Sequence, residues 1–220
     1  MQYDIRGNPD YGEIVFELAP GERVLVESGS MSRMSPGLPL NTRIIGSKLG
    51  ALGRKLFGGE SFFVGEYGGD GAGGEVAISP GLAGTVMHYP LRDQALRLTA
   101  GAFLACTPDI TLKTRFGGMK ALFSGEGAFF LDAVGQGDLF FNAYGAVIER
   151  ELDGELTVDT GHLVAWEPTL DYQIGGMGGL KQTIFSGEGL IMRFHGKGKI
   201  WLQTRTLGHT AGWITPFLRG

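Results

Sequence analysis

The sequence predicts an all-β protein with little helix, built as three tandem β units. Glycine accounts for 39 of the 220 residues without a collagen-like period, a content that suits tight turns and strand bulges and disfavours long helices. Short apolar runs bounded by glycine and proline recur along the chain, as in sandwiches and barrels of antiparallel strands. The phrase Phe-Ser-Gly-Glu-Gly stands at 123–127 and again at 185–189, with a weaker copy at 57–61. Repeated motifs of this kind indicate an internal repeat.

The spacing of the repeated motifs sets the length of each unit. Gly101 and Gly161 are 60 residues apart, and Glu126 and Glu188 are 62 apart, so the second and third units are nearly in register. The first unit is longer, because 80 residues separate Gly21 from Gly101. We therefore predict one domain over residues 1–220, with repeats at approximately 11–80, 91–150 and 151–207.

Each unit is expected to contain strands joined by glycine turns. In the first unit, runs at 13–18 and 23–28 flank Pro20-Gly21, a turn in which proline presets φ and glycine supplies a positive φ. The later units carry a strand, a glycine and a second strand, at 98–105 and at 158–165. A further glycine-led strand closes each unit, at 74–78, 137–141 and 198–202.

Units of this size have short strands with open edges, and none would be stable alone. Packed around a pseudo-threefold axis, the three units would cover one another's edges. Their period of about sixty residues is longer than most stacked solenoid repeats. We therefore expect a compact, three-lobed arrangement of the double-stranded β-helix or sandwich type.

The extra residues of the first unit include an amphipathic insertion at 44–57. Its apolar residues recur at steps of four, three and four, which predicts one helical face, and its three glycines weaken the helix. Because basic residues flank this face, the segment is a candidate contact for an anionic membrane surface or a partner protein. The other interpretation is that the apolar face packs on the chain's own barrel or on a neighbouring subunit. The candidate contact residues are Ile45, Lys48, Leu49, Leu52, Arg54, Lys55 and Leu56.

The glutamate of each repeated phrase is interpreted as part of a structural turn. Catalysis needs one carboxylate in one tuned environment, whereas a residue present in every unit usually satisfies the same backbone geometry each time. A carboxylate between glycines can accept hydrogen bonds from the N–H groups of its turn. The predicted turn residues are Gly59, Glu60, Gly125, Glu126, Gly187 and Glu188.

No catalytic, cofactor-binding or metal-binding motif is found in the sequence. The four histidines lack the spacing of metal ligands, and neither a G-x-S-x-G elbow nor a G-K-[ST] phosphate loop occurs. We therefore expect a protein that is not an enzyme and that has no cofactor and no metal.

The overall charge argues against nucleic acid as a partner. The net charge is −4 and the pI is about 5.6, whereas sequence-independent nucleic-acid binding depends on a basic surface. The single cysteine, Cys106, excludes an internal disulfide and favours a reducing compartment, and we expect it in the core. The first residues lack a signal-peptide pattern, and no apolar run is long enough for a membrane span. The expected location is the cytoplasm.

The tail at 208–220 carries Trp213, Ile214, Phe217 and Leu218. We expect a last turn of helix there, broken at Pro216 and docked on the body of the protein.

Several phrases resemble a known family. The run from Lys55 to Phe63, the repeated Phe-Ser-Gly-Glu-Gly, Gln203-Thr204-Arg205 and the Trp-Ile-x-Pro-Phe ending at Phe217 are similar to the "altered inheritance of mitochondria" family. The resemblance implies the tryptophan RNA-binding attenuator-like fold, with three such units per chain and three chains closing a ring of nine units. It implies little about activity, since bacterial members are mostly of unknown function and mitochondrial members are associated with inner-membrane organisation. No ligand residue of the attenuator protein itself is matched in this sequence.

Two functions follow as hypotheses. The first is a non-enzymatic, ring-forming β scaffold, expected to be a homotrimer, which contacts a protein partner or a membrane surface through the insertion at 44–57. The alternative is a ring that binds a small ligand or a nucleic acid at sites between adjacent β units, since such interfaces are natural places for pockets.

Overall fold

A computed structural model describes residues 1–45, 62–116, 129–176 and 190–218 of the chain. Within these ranges the protein consists mostly of β-strands, so the predicted all-β fold class is confirmed. The strands are β1 (Gln2–Arg6), β2 (Glu13–Leu18), β3 (Arg23–Glu27), β4 (Met31–Met34), β5 (Leu40–Ile45), β6 (Phe62–Gly68), β7 (Gly74–Ile78), β8 (Val86–Thr99), β9 (Phe103–Cys106), β10 (Ile110–Phe116), β11 (Phe129–Asn142), β12 (Val147–Asp159), β13 (Leu163–Trp166), β14 (Asp171–Gly175) and β15 (Ile191–Gln203).

The strands form two antiparallel sheets. The smaller has the order β1-β2-β7-β4, and the larger runs β12-β15-β13-β8-β11-β9-β3-β6-β5, with β10 added to β11 and β14 added to β15. Only four of the pairs join strands that are consecutive in the chain, β1 with β2, β5 with β6, β10 with β11 and β14 with β15, so most of the pairing connects strands that are further apart in sequence. A glycine lies at one β-bulge: the ladder between β11 and β8 shifts register after Gly135, which has a φ of +134°.

Strand pairing divides the described chain into three consecutive segments. In the second segment (86–142), β8 pairs along β11, β9 pairs with the end of β11, and β10 pairs with its start. In the third segment (147–203), β12, β13 and β14 make the same three pairings with β15. In the first segment (13–78) the long strands are divided, so that β2 and β4 pair with β7 while β3 and β5 pair with β6.

The division of the first segment shows that Gly21 does not correspond to Gly101 and Gly161, as the sequence spacing had suggested. Gly21 lies in the turn between β2 and β3, with a φ of +85°, whereas Gly101 and Gly161 lie in single 3₁₀ turns that precede β9 and β13. The place of those 3₁₀ turns is taken by Gly29, between β3 and β4. The Pro20-Gly21 turn therefore interrupts what is a continuous strand in the other segments, which is why its spacing to Gly101 is too long.

Two joints connect the segments through strand pairing. β13 of the third segment pairs with β8 of the second, with Ala165 opposite Leu98 and Trp166 opposite Arg97. β9 of the second segment pairs with β3 of the first, with Ala105 opposite Val26 and Cys106 opposite Leu25. Both joints use the same strand of each segment and the same two positions in it, so the two joints have one geometry.

Three clusters of buried side chains form the core of the described chain, and each of them contains residues from both sides of a joint. One cluster packs Leu25 and Val64 of the first segment against Phe103 and Cys106 of the second. Another packs Phe130 of the second segment against the core of the third. Cys106 is fully buried, as the sequence predicted, and this burial raises the pKa of its thiol far above the usual range.

One α-helix, α1 (Leu207–Ile214), follows the last strand in the described part of the chain. Thr206 caps it, because its hydroxyl accepts a hydrogen bond from the His209 N–H at 3.1 Å. A 3₁₀ turn, Thr215–Phe217, continues from it. The helix therefore ends just before Pro216, where the sequence predicted a break.

Candidate interaction surfaces

The predicted contact segment at 44–57 is described at its first two residues. Ile44 and Ile45 belong to strand β5 rather than to a helix, and they pair with Phe63 and Phe62. Two β-branched residues opposite aromatic partners favour the strand. Ile45 packs against the core cluster that contains Phe103, while Ile44 is exposed. The other candidate residues, Lys48, Leu49, Leu52, Arg54, Lys55 and Leu56, lie outside the described residues.

The repeated turn also falls outside the described residues. This applies to all six positions, Gly59, Glu60, Gly125, Glu126, Gly187 and Glu188. Their interpretation as structural turns therefore stays a prediction.

The first two segments each hold a buried carboxylate between two arginines. Asp132 of β11 accepts hydrogen bonds from Arg97 Nε at 2.6 Å and from Arg97 Nη2 at 3.2 Å, and a further one from Arg115. Glu66 of β6 is paired with Arg43 and lies 3.6 Å from Arg23. Burial alone would raise the pKa of Asp132, but the hydrogen bonds from the two arginines outweigh it and lower the pKa.

Arg97 also contacts the third segment, so this ion pair is part of a joint. Its guanidinium lies 5.7 Å from the ring centre of Trp166 and 5.9 Å from that of Tyr172, within the range of a cation–π interaction. Phe130 stands edge-on to Trp166 at 5.0 Å. The face of the second segment that bears Asp132 is therefore covered by the third segment.

The corresponding face of the third segment is uncovered in the chain. Cross-strand pairing arranges two polar rows on β12, β15 and β14, which border a groove of about 630 Å³. All six side chains of this third-segment outer face are exposed, and they are Glu155, His195 and Asp171 in one row and Thr157, Arg193 and Gln173 in the other. Arg193 lies opposite Thr157 as Asp132 lies opposite Arg97.

The first segment exposes an apolar face at the other end of the array. This first-segment apolar face consists of Met31, Leu40, Ile44 and Phe63. The counterparts of Met31 are covered, since Phe103 and Leu163 take its place in β9 and β13 and both are buried. An apolar face of this kind on a folded surface marks an interaction site.

A polar cluster ties the first strand to the larger sheet. His88 Nε2 lies 2.7 Å from Asp138 Oδ1, and Tyr3 Oη lies 3.0 Å from His88 Nδ1. The order of the three groups resembles a nucleophile, base and carboxylate. However, burial and the Asp138 charge raise the pKa of Tyr3, so its phenol stays protonated at neutral pH. Through these hydrogen bonds the cluster connects β1 to β8 and β11.

Among the residues that the structure describes, no group of three or more metal-binding side chains is arranged to hold an ion. Within the same ranges, no helix has both the length and the apolar character to cross a bilayer.

The sequence missed most of these features because their partners are far apart in the chain. Arg97 and Trp166 are separated by 69 residues, and no local pattern connects them. A signal was present only for the first-segment apolar face, since Ile44 and Phe63 are apolar residues beside an insertion that the other segments lack.

The described chain is thus an all-β protein of three pairwise-joined segments with two unmatched outer faces. It belongs to the family described as mitochondrial biogenesis AIM24, whose model matches residues 3–205. It is 34% identical over 227 residues to an uncharacterized protein of Streptococcus pyogenes serotype M6, a match that covers 99% of this chain and 91% of that protein. It is also similar to a crystal structure of a Streptococcus pyogenes protein, with 31% identity, a TM-score of 0.83 and 99% of each chain covered.

Proposed function

We propose that the protein is a non-enzymatic scaffold, in which copies of the chain assemble head to tail into a ring. The observation that carries this proposal is the geometry of the two joints, which connect successive segments in the same way. In the described chain the first and the third segment each keep one strand edge that could take part in a third joint of the same kind. The matching pairings of the three segments also support the predicted threefold repeat and its attenuator-like arrangement.

The proposed third joint follows from the register of the first two. β4 and β12 each stand at the edge of a sheet in the described chain, and exposed edges favour pairing with another strand. By analogy with Trp166 opposite Arg97, Met34 of one copy would lie opposite Thr157 of the next. Leu40 would then contact Thr157 in the way that Tyr172 contacts Arg97.

This joint brings together the two unmatched faces. The first-segment apolar face would be covered by the third-segment outer face of the neighbouring copy, and the groove beside Arg193 would become part of the interface. Such a contact is heterologous, so it gives a closed ring when the rotation between copies allows closure. The resemblance to the family sets the expected number at three copies.

Light scattering coupled to size exclusion tests the assembly. We expect a single species with the mass of three 23.5 kDa chains. Leu40→Asp should shift it to the mass of one chain, because the interface would then bury a carboxylate that loses its hydration. The matched control is Leu82→Asp, since Leu82 is also an exposed leucine but belongs to neither face.

A charge pair tests which surfaces meet. We expect Thr157→Lys combined with Leu40→Asp to recover part of the assembly that Leu40→Asp alone loses, because the lysine and the aspartate would then be neighbours. A wild-type chain that runs as a monomer at all concentrations would overturn the proposal. Unchanged assembly in Leu40→Asp would show that the copies meet elsewhere.

The scaffold is proposed to act in the cytoplasm by contacting a protein or a membrane surface, with nucleic acid disfavoured by the acidic charge of the chain. The groove beside Arg193 favours a second candidate, a ring that binds a small ligand between units, because it offers charges of both signs. Thermal shift with amino acids and short RNAs separates the two. A rise of several degrees with one compound and none with its relatives would favour the ligand-binding ring.

A further inference from the structure

A second surface is independent of the proposed ring interface, and it lies on the segment that follows the last strand. We propose that residues 205–218, which we name the tail segment, dock the protein on an anionic phospholipid surface. The inference deepens the membrane contact of the proposed scaffold by naming the segment and the surface, and it can be tested separately from the ring because the tail segment is described within one chain and does not require assembly.

The tail segment turns its apolar side chains away from the protein. No residue of α1 is buried, and the Trp213 and Phe217 side chains are 69% and 76% exposed. The exposed apolar residues of the segment are Leu207, Trp213, Ile214, Phe217 and Leu218. Five large apolar side chains within twelve residues are more than the scattered exposed residues that a soluble surface normally carries.

Polar contacts hold the tail segment in place. Thr206 caps the helix, and Thr210 Oγ1 lies 2.8 Å from the hydroxyl of Tyr144, in the connection between β11 and β12. The Thr210 hydroxyl also reaches the Thr206 carbonyl oxygen at 3.2 Å. Because these contacts fix the helix without burying its apolar residues, those residues remain free to contact another surface.

The charge of this part of the chain matches an anionic surface. From residue 205 onward the sequence contains two basic residues, Arg205 and Arg219, and no acidic residue. The chain as a whole carries 19 basic and 23 acidic residues, so residues 1–204 carry 17 basic and all 23 acidic residues. An acidic protein with one basic, aromatic segment would approach an anionic bilayer by that segment.

The composition and size of the tail segment favour a bilayer over a protein partner. Trp213 and Phe217 have ring centres 5.8 Å apart, and aromatic residues with nearby cations are typical of segments that lie in the headgroup region. The helix has eight residues and is therefore about 12 Å long. That length presents much less area than a specific protein interface normally buries.

Vesicle co-sedimentation with the full chain tests the proposal. Vesicles of phosphatidylcholine with phosphatidylglycerol provide the anionic surface, and pure phosphatidylcholine vesicles are the control. We expect the wild type to pellet with the anionic vesicles. The double variant Trp213→Ala, Phe217→Ala should bind these vesicles at least about tenfold more weakly. Tyr11→Ala is the matched control, because Tyr11 is also 76% exposed but lies outside the segment.

Tryptophan fluorescence gives a second readout. Trp166 and Trp201 are buried and Trp213 is exposed, so acrylamide should quench mainly Trp213. We expect anionic vesicles to protect Trp213 from quenching and to shift the emission to the blue. Raising the salt concentration should weaken binding, because the attraction between the basic residues and the lipid is screened.

The outcomes separate this proposal from the ring. A wild type that does not pellet, or a double variant that pellets as well as Tyr11→Ala, overturns it. A double variant that loses assembly in light scattering while lipid binding is unchanged would identify the segment as a contact between copies, which also overturns it. Lipid binding by a Leu40→Asp monomer supports it even if the ring is absent, although several segments on one ring should bind more tightly.

Discussion

The second and third segments share a strand arrangement but differ in what surrounds the middle of their last strands. In the second, Asp132 is buried, with its side chain 6% exposed, between Arg97 and Arg115. In the third, the position that corresponds to Asp132 holds Arg193, which faces solvent beside Thr157. The two positions have the same place in the ladder, so the strand itself does not decide their burial.

The difference comes from the neighbour that covers each face. Trp166 and Tyr172 of the third segment lie over Arg97, which removes water from the ion pair. No described segment lies over Arg193. In this protein, therefore, a polar position becomes part of the core when the next segment docks, and the same position stays at the surface at the end of the array.

The largest effect is expected from Asp132→Ala. Removing one partner of a buried pair leaves Arg97 without its counter-charge, and such changes cost about 3–5 kcal/mol. We expect the free energy of unfolding, measured by urea denaturation, to fall by that amount. If the loss were below about 1 kcal/mol, the pair would behave as a surface salt bridge and the comparison with the third segment would fail.

The same pair predicts a loss of stability in acid. Because the pKa of Asp132 is lowered in the folded protein, its contribution is fully present above the ordinary carboxyl pKa of about 3.9 and is lost as the pH falls through the folded value. We expect the difference in unfolding free energy between the wild type and Asp132→Asn to be constant near neutral pH and to shrink below about pH 4. A difference that stayed constant down to pH 3 would assign the effect to packing.

Arg115→Ala is expected to have a smaller effect. Arg115 contacts the same carboxylate but its side chain is 62% exposed, so water replaces most of what is lost. We expect a decrease of about 0–1 kcal/mol in unfolding free energy. A decrease as large as that of Asp132→Ala would mean that Arg115, rather than Arg97, neutralises the carboxylate.

The smallest effect is expected from Arg193→Ala. An exposed side chain of this kind changes stability by no more than about 0.5 kcal/mol, provided that the protein is dilute enough for the copies to be separate. At higher concentrations the variant sharpens the comparison. If another copy covers the third-segment outer face, the effect of Arg193→Ala on the unfolding free energy should differ between high and low protein concentration.

The sequence predicted the strands better than their environment. The first strands at 13–18 and 23–28 and the glycine-led strand at 74–78 were located almost to the residue, because alternation and turn chemistry are local signals. The family and the all-β class followed from the same local phrases. The threefold repeat and the ring stay predictions that the strand pairings support.

The remaining features depend on contacts between distant residues. The alignment of Gly21 with Gly101 was wrong because a proline–glycine turn interrupts a strand only in the first segment. Ile44 and Ile45 were interpreted as the start of a helix, yet their pairing with β6 places them in a strand. The ion pair of Arg97 with Asp132 gave no signal in the sequence, since neither its burial nor its aromatic cover can be obtained from the local pattern.

The buried thiol of Cys106 offers a way to measure how often the structure between the first two segments opens. Its strand, β9, pairs with β11 on one side and with β3 on the other, and the chain has no other thiol. A thiol reagent can therefore reach the buried sulfur only when the structure around β9 opens. The rate at which the native protein is labelled, followed over hours in the absence of denaturant, reports how often Cys106 becomes exposed, as it would when β9 separates from β3.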